Sequence, residues 1–325
     1  VVDSNTRAYQ VKLSAQHKAF IPKTAVRLVT DTGKISLLTG SGRVWGNTEA
    51  DYVSLQLPDR LPYRSMQQLD PSTIVIDVFG VVNNTNWITQ LPTAAGIKNF
   101  WYEQVEDDVF RMYIQLHHKQ HWGHSIAYNQ NTLIIKVARQ PRSLKLRNLI
   151  VAIDAGHGGT DSGAKGPTPG VYEKDYTLRF AQALQKRLQR KGATVRMTRS
   201  TDTTLSMVER VQMVKSFGPH LLISLHLNSS ARKDVKGVST YYKHIGFRPL
   251  TQAILNRMLG LGLNNFGNIG AFNFALNGPT EYPNCLVEVA FISNADDEKR
   301  IVQQKFQEQT ARQIQKGIKD WLRSL

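Results

Sequence analysis

Leu149-Ile-Val-Ala-Ile-Asp-Ala-Gly-His-Gly-Gly159 decides how this 325-residue chain is read. Leu149 to Ile153 is continuously apolar, the pattern of a strand covered on both faces rather than one with a wet side. The run stops in a glycine-rich turn that lets the backbone bend sharply and leaves the His157 imidazole unobstructed. Downstream the texture alternates. Tyr176 to Arg190 repeats its apolar residues at helical spacing (Leu178, Ala181, Leu184, Leu188) and stops at Gly192. Val195 to Thr198 reads as a strand, Leu205 to Phe217 as a helix, Leu221 to Leu227 as a second buried strand and Gly237 to Tyr242 as a third. Leu250 to Leu263 is helical and Cys285 to Phe291 is the last strand. Asn294 is placed to cap a long final helix whose buried stripe is Phe306, Ile314, Ile318 and Leu322. Strands alternating with helices predict an α/β layered domain.

Upstream the helical period is missing. Val26 to Val29, Tyr52 to Leu57, Thr73 to Val78, Val109 to Leu116 and Thr132 to Val137 are short β-branched or aromatic runs. Turn signals such as Asp31-Thr-Gly33, Gly40-Ser-Gly42 and Asn83-Asn84 separate them. An all-β region over 1–138, as one small sandwich or barrel or as two, is therefore expected. A basic, proline-containing linker over 139–147 follows, and the α/β domain occupies 148–325.

Composition narrows the function classes. No stretch approaches the roughly 20 apolar residues that span a bilayer. No signal-peptide pattern precedes the first strand of this chain, which opens at Val1. Cys285 stands alone, so neither an internal disulfide nor a cysteine-rich metal site is available; it reads as a small buried hydrophobe. The net charge is +16, divided as about +6 up to residue 150 and about +10 beyond it. It points to a polyanionic surface or to nucleic acid. No nucleic-acid-binding motif and no interleaving of aromatics with cations is present, so nucleic acid is set aside. Lys186, Arg187, Arg190 and Lys191 fall where a helix shows solvent.

The chemistry-bearing residues gather at one place. His157 follows the first core strand, and His226 closes the strand Leu221 to Leu227. In open α/β sheets ligands bind beyond the carboxyl ends of strands, so both imidazoles reach one rim. Glu173, at the mouth of the helix after the first strand, reaches it too. Two histidines and one glutamate form a common catalytic zinc set with a fourth position left for water. Glu288 interrupts an otherwise apolar strand, where an unpaired charge is costly; beside a metal it can move the protons of an activated water. Each piece alone has an ordinary explanation: a structural turn, a favourable helix start, a satisfied core histidine, a partner for a buried cation. Their conjunction at one sheet edge favours a site. Asp154 and Asp161 read as supports of the first turn.

Four ordered segments carry a resemblance: Val151 to Asp161, Glu173-Lys-Asp-Tyr-Thr-Leu178, Ile223-Ser-Leu-His-Leu-Asn228 and Leu286-Val-Glu-Val-Ala-Phe-Ile-Ser-Asn294. They are similar to the zinc-dependent N-acetylmuramoyl-L-alanine amidases of bacterial cell walls, over roughly 148–325. The resemblance implies a mixed sheet flanked by helices. It implies Zn2+ held by His157, Glu173 and His226, with Glu288 catalytic. The implied reaction is hydrolysis of the amide between N-acetylmuramic acid and the L-alanine of the peptidoglycan stem peptide. It also implies a periplasmic or envelope-associated protein. Thr73 to Gly80 and Leu133 to Val137 resemble the envelope-targeting β domain of that family, which implies an envelope partner. Some members carry a long helical insertion before the last strand that covers the zinc and demands an activator. Tyr242 to Cys285 has room for one ordinary helix, which predicts an open site.

Three rival readings remain. A stem-peptide carboxypeptidase would use the same metal, and a non-catalytic wall-binding protein would use the same fold. His117, His118, His121 and His124 form a histidine-rich tract. On one extended strand, His117 and His121 would share a face, and His118 and His124 the other. No carboxylate recurs among them at ligand spacing.

Overall fold

The computed structural model describes residues 1–29 and 37–325; the turn expected at Asp31-Thr-Gly33 lies outside the described residues. The chain forms two compact units, Val1–Lys119 with His124–Arg139, and Gln120–Gly123 with Gln140–Leu325.

The first unit is built of strands. β1 (Asp3–Ser4), β2 (Ala8–Lys12) and β3 (Lys18–Pro22) form an antiparallel three-stranded sheet. β4 (Gly42–Gly46), β5 (Ala50–Gln56), β6 (Tyr63–Leu69), β7 (Ser72–Phe79), β8 (Ile88–Gln90), β9 (Ile97–Glu106), β10 (Val109–Leu116), β11 (His124–Asn129) and β12 (Thr132–Ala138) make two larger sheets. Their orders are β6-β7-β10-β9 and β11-β12-β5-β4-β8. One core joins them, with Ile74, Ile76, Phe110, Met112 and Ile114 from the first sheet and Val44, Val53, Leu55, Leu133 and Ile135 from the second. β10 shows why: its even positions from Phe110 to Leu116 are buried while the odd ones from Arg111 to Gln115 are half-buried, the period of a strand with one face in a core. One expected strand is absent. Val26 to Val29 follows a 3₁₀ turn at Lys23–Ala25 and pairs with no strand among the described residues, and Leu28 and Val29 are exposed. β-branched residues favour a strand where they have a surface to pack on, and here Val26 and Val29 are exposed among the described residues.

The second unit is a six-stranded mixed sheet. β13 (Ile150–Ala155), β14 (Thr194–Met197), β15 (Leu221–Asn228), β16 (Val238–Tyr241), β17 (Asn265–Ile269) and β18 (Asn284–Phe291) are ordered β14-β13-β15-β18-β16-β17. The first four run parallel, and β16 joins β18 antiparallel. The helices are α1 (Glu173–Gln189), α2 (Met207–Phe217), α3 (Arg248–Leu259), α4 (Ala295–Ile301) and α5 (Gln304–Arg323). α5 packs against both α1 and α3. Gly317 makes this possible, since a Cβ there would stand 2.6 Å from the Ile254 Cα. Val214 of α2 packs with Ala152 and Leu222 of the sheet. Asn294 caps a helix as expected, accepting from the Asp296 and Asp297 amides, but that helix is the short α4. The chain leaves the helical ladder at Val302 and Gln303 before α5 begins, so the long final helix is two. Between β16 and β18 the α-helix is α3, with 3₁₀ turns at Ile245–Phe247 and Ala275–Asn277. Among the described residues no helix is long and apolar enough to cross a membrane.

Candidate metal centre

Parallel pairing of β13 with β15 and of β15 with β18 brings their carboxyl ends to one edge. His226 and Glu288 are register partners across β15 and β18, so their side chains rise from one face as neighbours. His157 comes from the turn after β13. Its φ of 60° is left-handed, a conformation that costs a non-glycine residue on the order of 1–3 kcal/mol when held there. Glu173 is the first residue of α1, where a carboxylate also meets the positive end of the helix dipole.

These side chains converge. Glu173 Oε1 lies 3.1 Å from His157 Nε2 and 3.1 Å from His226 Nδ1. One donor atom from each of the three residues falls within 4.8 Å of the others, the one such group of three His, Cys, Asp or Glu among the described residues. The imidazoles stand edge to face at 79°, centroids 5.0 Å apart. His157 Nδ1 lies 2.8 Å from Asp161 Oδ2, which leaves its Nε2 facing the cluster. Glu173 is fixed from behind by the Leu227 amide on Oε1 and the Ala164 amide on Oε2, each at 2.9 Å. Space is tight around them. A Cβ on Gly156 would stand 2.3 Å from the His226 ring, and one on Gly163 would stand 2.7 Å from Glu173 Oε2.

The charges are coupled to this geometry. Burial works against ionisation of Glu173, but the two imidazoles outweigh it and hold its carboxyl well below the usual range. Burial likewise opposes a charge on His226, yet the hydrogen bond with Glu173 and the nearby Glu288 push it up to about 9. Burial pushes Glu288 up to about 7, with His226 pulling the other way. Glu288 Oε2 is buried and has no hydrogen-bond partner, a costly arrangement unless something else occupies the space before it. Cys285 is buried on β18 and its thiol is pushed upward by that burial, as fits a small hydrophobe rather than a nucleophile.

Two residues absent from the reading of the sequence hold the first turn. Arg210 of α2 is buried and donates to Asp154 Oδ1 and the Ala155 carbonyl at 2.7 Å, and to the His157 carbonyl. Arg199, after β14, donates to the carbonyls of Ala155 and Gly156 at 2.9 Å and of Lys174 at 2.7 Å. Three successive carbonyls, 155 to 157, are thus tied down by two guanidinium groups. Asp154 also accepts from Thr198 and Ser224 at 2.8 Å; burial opposes its charge, and Arg210 outweighs that and holds it low. A signal for Arg210 existed: it shares the buried side of α2 with Val214, four residues on.

The histidine tract does not form a second cluster. His117 to Gly123 lies outside any strand, β11 begins at His124, and Gly123 at φ 126° turns the chain. His124 Nε2 lies 3.2 Å from Ser65 Oγ. The shared-face reading fails because alternation needs an unbroken strand.

A profile described as N-acetylmuramoyl-L-alanine amidase matches residues 151–320, more than half of the chain. The chain belongs to the N-acetylmuramoyl-L-alanine amidase family. An AMIN-domain profile matches residues 42–137, which coincide with β4 to β12. The catalytic domain of the N-acetylmuramoyl-L-alanine amidase CwlV from Bacillus (Paenibacillus) polymyxa var. colistinus is 32% identical. It superposes with a TM-score of 0.52 over 54% of this chain and 98% of its own. The N-acetylmuramoyl-L-alanine amidase AmiC2 of Nostoc punctiforme is 31% identical, with a TM-score of 0.51 over 54% of this chain and 97% of its own. The probable cell wall amidase LytH of Staphylococcus aureus is 31% identical over 175 residues, 54% of this chain. The chain spans 58% of the length of that curated relative. Membership rests on the second unit and agrees with the mixed sheet and flanking helices seen there.

Proposed function

We propose that this amidase-family chain hydrolyses the amide between N-acetylmuramic acid and L-alanine in peptidoglycan, with Zn2+ held by His157, Glu173 and His226 and protons moved by Glu288. One observation carries the reading: three ligand atoms converge beside a buried, unpartnered carboxylate oxygen. The donor set suits zinc, which takes imidazole and carboxylate at about 2.0–2.2 Å in a tetrahedron. Edges of such a tetrahedron are about 3.3–3.6 Å, a few tenths of an ångström wider than the 3.1 Å between Glu173 Oε1 and each imidazole nitrogen. Zinc bound there supplies Lewis acidity toward water and toward the scissile carbonyl.

The chain's own residues do the rest. Asp161 orients the His157 ring, and the amides of Ala164 and Leu227 orient Glu173. Glu288 Oε2 takes a proton from the attacking water and returns it to the departing alanine nitrogen, for which it has a free lone pair and no competing donor. His157 and His226 keep 24% and 18% of their side-chain surface exposed, the side from which substrate would approach. We assign the protein to the cell envelope, with peptidoglycan as partner through the amidase unit and an envelope component as partner through the AMIN unit.

The test is digestion of purified peptidoglycan by wild type and Glu288→Gln, with metal analysis of both. Wild type should release stem peptides with free alanine amino termini. The variant should lose about 10²- to 10⁴-fold in turnover, the range of a general acid–base group, and keep its zinc. Cleavage within glycan-free stem peptides would show a carboxypeptidase instead. Absence of any release by zinc-loaded wild type would sink the enzymatic reading.

A further inference from the structure

The helices behind the metal centre carry a large excess of positive charge. Two adjoining grooves, about 690 and 1010 Å3, run along α1, α5 and the segment 142–147. Six Lys or Arg line the first and nine the second; Arg187 and Arg312 line both, so thirteen cations line these two adjoining grooves, together called the channel below. The one acidic lining residue is Glu308. Among the described residues none of the thirteen enters an ion pair. Helix periodicity produces this face. α1 and α5 turn Leu184, Leu188, Phe306, Ile314 and Ile318 inward, which leaves Lys186, Arg190, Arg312 and Lys319 exposed along the channel. Crowded like charges repel one another and weaken the compact state, and a bound polyanion removes that penalty.

We propose that this channel binds a linear polyanion with a phosphate on each repeat. The channel is concave and elongated: Lys305 and Arg323 are separated by about 27 Å along α5 at 1.5 Å per residue. No aromatic side chain lines it, so it lacks the stacking platforms that hold single-stranded bases. Arginine forks and lysine ammonium groups suit repeated phosphates. Glu173 begins α1, and Arg179 lies about 9 Å further along the axis with the other α1 cations beyond it. An occupant therefore lies behind the metal centre. This function is additional to wall hydrolysis, and its test reads binding rather than turnover.

The probe is long-chain inorganic polyphosphate, titrated into full-length wild type by fluorescence anisotropy at about 50–200 mM salt. Log affinity should fall linearly with log salt. Lys186→Gln, Arg190→Gln, Arg312→Gln and Lys319→Gln combined should bind at least tenfold more weakly, with a salt slope shallower by about 3, while its circular dichroism and melting match wild type. A charge-matched control with Lys12, Lys18, Lys98 and Lys119 changed to Gln, all exposed in the first unit, should bind as wild type. Equal loss in the control, or unchanged binding by the channel variant, would overturn the proposal. So would a preference for phosphatidylglycerol vesicles or a single-stranded oligonucleotide at equal phosphate.

Discussion

Asp154, Arg199 and Arg210 explain how a residue as constrained as His157 is kept in place. A left-handed backbone at a histidine persists where neighbours over-determine it, and here the carbonyls before and at that residue are bound by two buried arginines. Arg210 is paired with Asp154 inside the protein, so the pair is worth little compared with a well-packed apolar substitute, while breaking it is expensive. Arg210→Met should therefore lower unfolding stability by about 3–5 kcal/mol, because Asp154 would keep a buried charge without its main partner. Adding Asp154→Leu should recover part of that loss. Urea unfolding of the two single variants and the double gives the coupling energy, and an additive double variant would disprove the pairing argument. The four principal site residues were legible because a histidine after a buried strand and a glutamate within one are conspicuous. The arginines were missed although the logic that singled out Glu288, a charge on an apolar stripe, applies equally to Arg210.

Elements with a strict period were the legible ones. β5, β7, β10 and β12 emerge from β-branched or aromatic runs, and β13, β15 and β18 from continuous apolar ones. β9 escaped notice because Lys98, Asn99, Glu103, Gln104 and Glu106 dilute its alternation; it is held as a strand by eight register partners on β10. α4 and α5 read as one helix in the sequence because no glycine or proline marks the break at Val302 and Gln303. β7 illustrates a buried charge in the first unit. Every residue from Ser72 to Phe79 is buried, yet Asp77 sits among them, paired with Arg64 and Arg111 from the flanking strands at 2.8 and 2.5 Å. Burial opposes its ionisation, and the two guanidinium groups outweigh that and hold its carboxyl below the ordinary range. A lowered carboxyl stabilises the fold above its unfolded pKa of about 3.9 and loses that contribution as pH falls through the folded value. Asp77→Asn should thus cost about 1–3 kcal/mol at pH 7. The gap from wild type should close below about pH 4. A gap that stays constant across a pH series of thermal melts would contradict the assignment.

At the scale of the molecule, a length of 325 residues implies two domains, and the change of texture near residue 148 marks where the α/β pattern begins, whereas the second compact unit takes in the chain from Gln140 onward together with Gln120–Gly123. The packing of α5 on α1 and α3 was beyond reach, since it depends on which helical faces meet. The same is true of the channel: four of its cations were visible as a solvated helix face, but their union with those of α5 and 142–147 is a tertiary fact. The division into units bears on metal removal. All three proposed ligands and Glu288 belong to the second unit, so a bound ion stabilises that unit alone by mass action. At a hundredfold excess over its dissociation constant this is about 2.7 kcal/mol, or roughly 5–11 °C for a domain of about 150–250 residues. Chelation should lower the melting transition of the amidase unit by that amount, leave the transition of the β unit in place, and abolish wall hydrolysis; added Zn2+ should restore both. Calorimetry of the full chain with and without chelator reads this directly. A shift in the β-unit transition, or none in either, would mean that the ion is not held by His157, Glu173 and His226.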